Sequence, residues 1–314
     1  MQTPAGKPRS RGVFRYFAVS TVILFGVAAL AAALHHALRD SYPGRKFEGF
    51  FREALAMGST DDNFLLGRFA SRYDVCIYGM SDPVAESGFA TFFGMVRNET
   101  WMQSNLIYRT DVSNCPETTF FYVFHHKGED SVIRSTIDDL TYITARHGMT
   151  FPQDHSLYFQ TYSPGLVVQL APPGKDRKVY SAINGFAGTS SEADKMLAHN
   201  IIQQELLQAI LNAGDLEVNR TPVSIIEEWN ISTPLRAPMA DPQYRAQWLE
   251  HNVYNMCLYD IMLLITLYAW DESILDDRLG SYIRYIRNNY EAIEKRAREI
   301  QYDERYSDIF VQKC

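Results

Sequence analysis

The stretch His199-Asn200-Ile201-Ile202-Gln203-Gln204-Glu205-Leu206-Leu207-Gln208-Ala209-Ile210-Leu211-Asn212-Ala213-Gly214-Asp215 decides how this chain is read. It reads as the second half of a helix that starts near Glu192 and ends near Asn212, with Gly214 close to the C-terminal cap. On its N-terminal side the chain is rich in strands: Arg72–Tyr78, Leu106–Arg109, Phe120–Phe124, Leu157–Thr161, Leu166–Leu170 and Lys178–Ile183. The last two flank Pro172-Pro173-Gly174 and read as a β-hairpin. Helices are expected at 47–57, closed by Gly58, and at 84–102 and 129–147. On the C-terminal side the pattern is helical at 243–270 and 280–301, after a Pro-punctuated loop over 222–242. Strands followed by helices predict an α+β fold with a mixed sheet and packed helices, rather than a doubly wound sheet.

The window Gln204-Glu205-Leu206-Leu207-Gln208 keeps the glutamate of an H-E-x-x-H zinc motif and has glutamine in place of both histidines. In that motif, histidines at i and i+4 share one helix face and ligate zinc, while the glutamate activates the metal-bound water. Neutral glutamine is a poor zinc ligand, and without zinc the water has no reason to titrate near neutral pH. The residues therefore exclude a conventional zinc peptidase at this position. Three readings of Glu205 remain: an ordinary or buried structural carboxylate, part of a retained binding groove, or the general base of a metal-free hydrolase.

The same run, followed by Asp215, resembles the E-x-x-Q-x-L-G-x-x-N-D helix of a bacterial family catalogued as domain of unknown function 2927. Phe47–Gly58 with Leu66-Gly67-Arg68-Phe69 and Val75–Gly79 resembles that family's opening helix, aromatic-bearing segment and first strand. Ser224-Ile225-Ile226 resembles its S-I-F segment, and Asp260–Tyr268 its closing D-x-x-L-L-x-x-L-Y helix. The chain departs from the pattern at Leu211, where the family has glycine, and at Gly214, where the family has asparagine. The resemblance spans about residues 47–275 and implies a zincin-like fold without its metal, in membrane-anchored or exported proteins of undefined activity. Gln204, Glu205, Gln208 and Asp215 would then line a relic groove.

The N-terminus places the domain. Lys7, Arg9, Arg11 and Arg15 precede an uncharged apolar run of eighteen residues, Phe17–Leu34. At about 1.5 Å per residue it nearly covers the roughly 30 Å core of a bilayer, and the cations keep their end in the cytoplasm. The expected organisation is a cytoplasmic tail (1–16), a transmembrane signal anchor (17–38), a linker (39–46), an ectodomain (47–275) and a C-terminal helical extension (276–314). The location is the inner, cytoplasmic membrane, single-pass, with the C-terminal domain on the periplasmic or extracellular side. A-x-A patterns within Ala28–Ala33 leave a cleaved signal peptide as the alternative. A second apolar run, Val253–Trp270, contains Asn255 and Asp260, and an ionised Asp in lipid is costly, so a core helix is expected there.

Net charge is −7, and the first sixteen residues hold four cations and no acid, leaving −11 on the remainder. So acidic a domain disfavours nucleic acid as a partner. All four cysteines follow the anchor, where an oxidising compartment permits disulfides. Cys76 at a strand and Cys115 in a polar loop form the expected pair, Cys257 reads as a buried free thiol, and Cys314 is open to any partner. Ile283, Ile286, Tyr290, Ile293, Ala297 and Ile300 form a 3-4-3-4-3 row, either a homodimer seam over 283–300 or a helix packed on its own domain. No metal site is expected from His125-His126, His147 or His155, and no cofactor motif is present. Glu227-Glu228, Asp61-Asp62 and Asp276-Asp277 read as solvated loop acids. The chain is therefore expected to be a membrane-anchored, exported, non-catalytic protein that binds a protein, peptide or polymer partner, with a hydrolase based on Glu205 as the alternative.

Overall fold

The computed structural model describes residues 42–67, 72–79, 83–126, 132–149, 165–170, 179–184, 192–217, 223–228, 243, 255–269, 276–307 and 309–310. The expected anchor at 17–38, the strand at Leu157–Thr161 and most of 243–254 lie outside them. Among the described residues no helix is long and apolar enough to cross a membrane. The chain divides into two units, Met1–Lys46 and Phe47–Cys314, and the architecture below is that of the second.

Helix α1 (Arg45–Ala56) begins inside the expected linker. It buries Phe47, Phe51, Ala54 and Leu55, the i, i+4 stripe of an amphipathic helix. It stops where Met57 and Gly58 take positive φ (50° and 72°) and the Gly58 amide returns to the Arg52 carbonyl at 2.9 Å. Five strands follow in one sheet: β1 (Arg72–Gly79), β2 (Gln103–Arg109), β3 (Thr119–His126), β4 (Gly165–Gln169) and β5 (Val179–Asn184). Their order is β2-β1-β3-β5-β4. Four run parallel, with Cys76 opposite Ile107 and Tyr122, and Tyr122 opposite Tyr180. Edge strand β4 is antiparallel to β5, so the expected hairpin pair does lie side by side. The fold is α+β with a mixed five-stranded sheet and, among the described residues, six helices.

Parallel strands need crossovers, and covering helices bury both faces of the sheet. Helix α2 (Pro83–Glu99) connects β1 to β2, and α3 (Val132–Arg146) follows β3. One face, carrying Val75, Ile77, Phe121, Val123 and Val179, packs on α1, α2 and three later helices: α4 (Glu192–Leu211), α5 (Leu258–Leu267) and α6 (Leu279–Gln301). The opposite face carries Cys76, Tyr78, Tyr122 and Tyr180 under Leu140 and Ile143 of α3. Hydroxyl contacts stitch that second layer: Tyr78 Oη donates to Asp139 Oδ2 at 2.6 Å, and Tyr122 Oη lies 2.7 Å from His147 Nε2. Burial pushes the Asp139 carboxyl up to about 6, against the pull of the Tyr78 hydroxyl.

Cys76 and Cys115 are joined by a disulfide, so the polar loop after β2 is tied to the central strand. Cys257 is not a free thiol: it is disulfide-bonded as well, and the described residues contain no free cysteine. Sequence reading missed this because an apolar neighbourhood suits a cystine as well as a thiol. Cys314, the remaining cysteine of the chain, lies outside the described residues.

Residues 276–310 do not stand apart as an extension. Leu279, Tyr282, Ile283, Ile286, Ile293, Ala297, Ile300, Tyr306 and Phe310 belong to the main core. The apolar row weighed as a dimer seam thus faces its own domain, because a single helix with this stripe is packed by α5 before a second copy is needed. The Glu99 side chain, only 2% exposed, closes this region: it accepts from Arg296 Nη2 at 2.6 Å and Tyr306 Oη at 2.8 Å, with Arg305 Nη2 3.5 Å away. Both arginines are more than half exposed, which screens the pair. Glu99→Ala is expected to cost about 2 kcal/mol in urea unfolding, chiefly by leaving Tyr306 Oη without its acceptor.

Candidate functional site

The second half of helix α4 is central: every residue from Asn200 to Leu211 is buried. In such a helix polar side chains need partners inside the protein. Gln203 Nε2 donates to Asn255 Oδ1 at 3.3 Å and its Oε1 accepts the Met256 amide at 3.2 Å, tying α4 to the start of α5. Gln204, Glu205 and Gln208 are exposed by only 6%, 7% and 5%.

Gln204 and Gln208, one turn apart on one face, converge on a single atom. Gln204 Nε2 donates to Asp215 Oδ1 at 3.2 Å, and Gln208 Nε2 donates to the same oxygen at 2.5 Å. A turn makes this possible. Asn212 takes a left-handed conformation (φ 56°), and the Ala213 amide returns to the Gln208 carbonyl at 3.1 Å, closing the helix. Asparagine tolerates that conformation better than most residues. Leu211 therefore stays helical, and the reversal at Asn212 brings Asp215 back over the helix face. Desolvation raises the Asp215 carboxyl pKa, opposed by the amides of Gln208 and Gln204. The residue as a whole is exposed.

A second set of contacts backs Asp215. The Leu216 amide donates to the Ile226 carbonyl at 2.9 Å, and β6 (Leu216–Glu217) pairs in parallel with β7 (Glu227–Glu228). The segment before β7 is held by Asp260, which is fully buried at the first turn of α5. Asp260 Oδ2 accepts the amides of Cys257 (2.7 Å) and Ile225 (2.9 Å), and Oδ1 accepts the Ser224 hydroxyl. Burial nevertheless outweighs these bonds and lifts the Asp260 carboxyl to about 7. Tyr268, at the far end of α5, donates its hydroxyl to the Ile210 carbonyl at 2.7 Å and satisfies an end carbonyl of α4. The scattered stretches that carried the resemblance, at 204–215, 224–226 and 260–268, are thus bonded to one another.

Zinc does not fit this constellation. The two glutamine amides present donors to the one carboxylate of the set, where zinc requires several lone pairs from imidazole, thiolate or carboxylate. Among the described residues no group of three or more His, Cys, Asp or Glu side chains could hold a metal ion. His147 is engaged with Tyr122, and His125 is buried with its ring edge-on to Phe89 at 5.9 Å. His155 lies outside the described residues. Glu227 is not a solvated acid: its Oε2 accepts the Val223 and Ser224 amides at 2.5 and 3.0 Å. Gln203 went unnoticed in the sequence; a further glutamine beside Gln204, in a run flanked by Ile201-Ile202 and Leu206-Leu207, was the signal available.

No protein-family model, no curated protein and no solved structure matches this chain.

Proposed function

We propose that residues 47–314 form a metal-free, zincin-like binding domain, displayed outside the cytoplasm by the N-terminal anchor, that engages a protein, peptide or polymer partner without chemistry of its own. The observation that carries this reading is the convergence of both glutamine amides on Asp215 Oδ1. In the longer zinc motif H-E-x-x-H-x-x-G-x-x-H, ligands fall at i, i+4 and i+10. Gln204 and Gln208 occupy the first two positions, and Asp215 follows Gly214 at the third. What holds the three together here is a pair of hydrogen bonds, with nothing left to polarise a carbonyl or acidify a water. The position of α4, packed on β4 and β5 after the antiparallel edge strand, supports the zincin-like reading. The Cys76–Cys115 disulfide supports an oxidising compartment. Strand β4 is an edge of the sheet among the described residues, the kind of position at which an extended partner can add a strand.

Metal analysis of the purified full chain, prepared without chelator or histidine tag, together with Glu205→Gln, tests the reading. The expected result is less than about a tenth of an equivalent of any transition metal, because amide oxygens bind such ions weakly, and unchanged function in Glu205→Gln. A full equivalent of zinc, or loss of function in Glu205→Gln with the fold retained, transfers the case to the hydrolase with Glu205 as general base.

A further inference from the structure

A cleft of about 610 Å³ opens where β1, β2 and β3 end, and none of Gln204, Glu205, Gln208 or Asp215 lines it. The carboxyl ends of neighbouring parallel strands are where open sheets gather ligands, since loops and the next helix start diverge there. The back of this cleft is tight: Gly79 has φ +100°, and a Cβ there would stand 2.3 Å from the His125 carbonyl oxygen. Tyr108, 40% exposed, supplies aromatic surface, over a floor that reaches Phe89, itself 1% exposed. The volume suits a small ligand and not a polymer cross-section.

Among the described residues that line the cleft, Arg109 is the one arginine or lysine. Its Nε donates to the Asn114 carbonyl at 3.1 Å and its Nη1 to the Tyr108 carbonyl at 2.7 Å, so backbone acceptors hold the guanidinium before any ligand arrives. No acidic side chain pairs with it among the described ion pairs, and a guanidinium held this way is suited to planar, bidentate recognition of a carboxylate. Glu86, from the first turn of α2, faces the same cleft, and its charge, after burial, helps raise the Tyr108 phenol pKa. Among the described lining residues one guanidinium stands with one carboxylate, a balance that disfavours a dianion such as a phosphate monoester.

We propose that this cleft binds a monocarboxylate bearing an apolar or aromatic side chain, namely an amino acid or the carboxy-terminal residue of a peptide, with the carboxylate on Arg109 and the side chain against Tyr108. The proposal is independent of the α4 site. Recognition of a terminal carboxylate is a recurrent mode of peptide capture.

Titration calorimetry on the full chain tests it with three probes: L-phenylalanine, N-acetyl-L-phenylalanine and L-phenylalaninamide. The expected result is saturable binding of at least one of the two acids, with the amide weaker by about tenfold or more. Preference for the acetylated acid identifies a peptide terminus; preference for the free amino acid identifies an amino-acid site in which Glu86 takes the ammonium, and Glu86→Gln then weakens it. Arg109→Lys, which keeps the charge but loses the fork, is expected to weaken the bound acid about tenfold with an unchanged melting curve. The proposal is overturned if neither acid binds up to about 10 mM, if the amide binds as well as the acids, or if Arg109→Lys binds as well as the native chain.

Discussion

Asp260→Ala is expected to lower the unfolding free energy by about 3–5 kcal/mol, the largest effect of any single substitution considered for this domain. The carboxylate accepts three donors, Ser224 Oγ and the amides of Ile225 and Cys257, at a site with no solvent exposure. Alanine leaves all three buried and unmade, at about 1–3 kcal/mol each before relaxation. The pH dependence has a definite sign. The folded pKa is raised to about 7 from 3.8, so between those values the folded state holds a proton that the unfolded state has released. Stability contributed by this group is therefore fully present below about pH 4, falls as pH rises, and levels off above about 7. Urea unfolding of the native chain and of Asp260→Asn at pH 5 and pH 8 measures this directly. The native chain should lose more stability than Asp260→Asn over that interval; equal losses would show that Asp260 is not the titrating group. Because Ser224 and Ile225 lead into β7, which backs the segment carrying Asp215, Asp260→Ala should also loosen the 213–217 segment in hydrogen exchange.

Removing the Cys76–Cys115 disulfide by double substitution to alanine is expected to cost about 4 kcal/mol, measured by denaturant unfolding under non-reducing conditions. The crosslink closes a separation of 39 residues, and restricting a loop of that length in the unfolded chain accounts for this magnitude. Both sulfur-bearing residues are buried, at 0% and 2% exposure, beneath the layer that α3 builds on the sheet. Arg146 Nη1 also donates to the Cys115 carbonyl at 2.8 Å, so the loop keeps one tie to α3 when the crosslink is gone. The variant should fold, with its loss concentrated in residues 110–118 and α3. A double variant as stable as the native chain would mean that the unfolded state already holds β1 near this loop.

The elements were legible because their signals are local. The alternation in Arg72–Gly79, the apolar stripe of α1 with Gly58 behind it, and the 3-4-3-4-3 row of α6 appear in the structure close to their expected bounds. The start of α5 at Leu258, well inside the apolar run from Val253, was foreshadowed by Asp260, whose carboxyl caps the helix. The bonding state of Cys257 was not legible, since it depends on what lies across from it; the seating of α6 on its own domain was one of the two readings its apolar row allowed.

By itself, the order of residues determined the element types, the α+β class and the glutamine substitution that rules out a zinc helix. Each follows from side-chain chemistry within a few residues of chain. Only the tertiary structure decided that β1, β2, β3 and β5 run parallel with β4 reversed at the edge, that Gln204 and Gln208 share one oxygen of Asp215, and that Ser224 and Asp260 meet across 36 positions. Strand order and such pairings rest on packing between segments distant in the chain, where apolar strands are interchangeable by pattern and a polar residue shows its role only once its partner is in place.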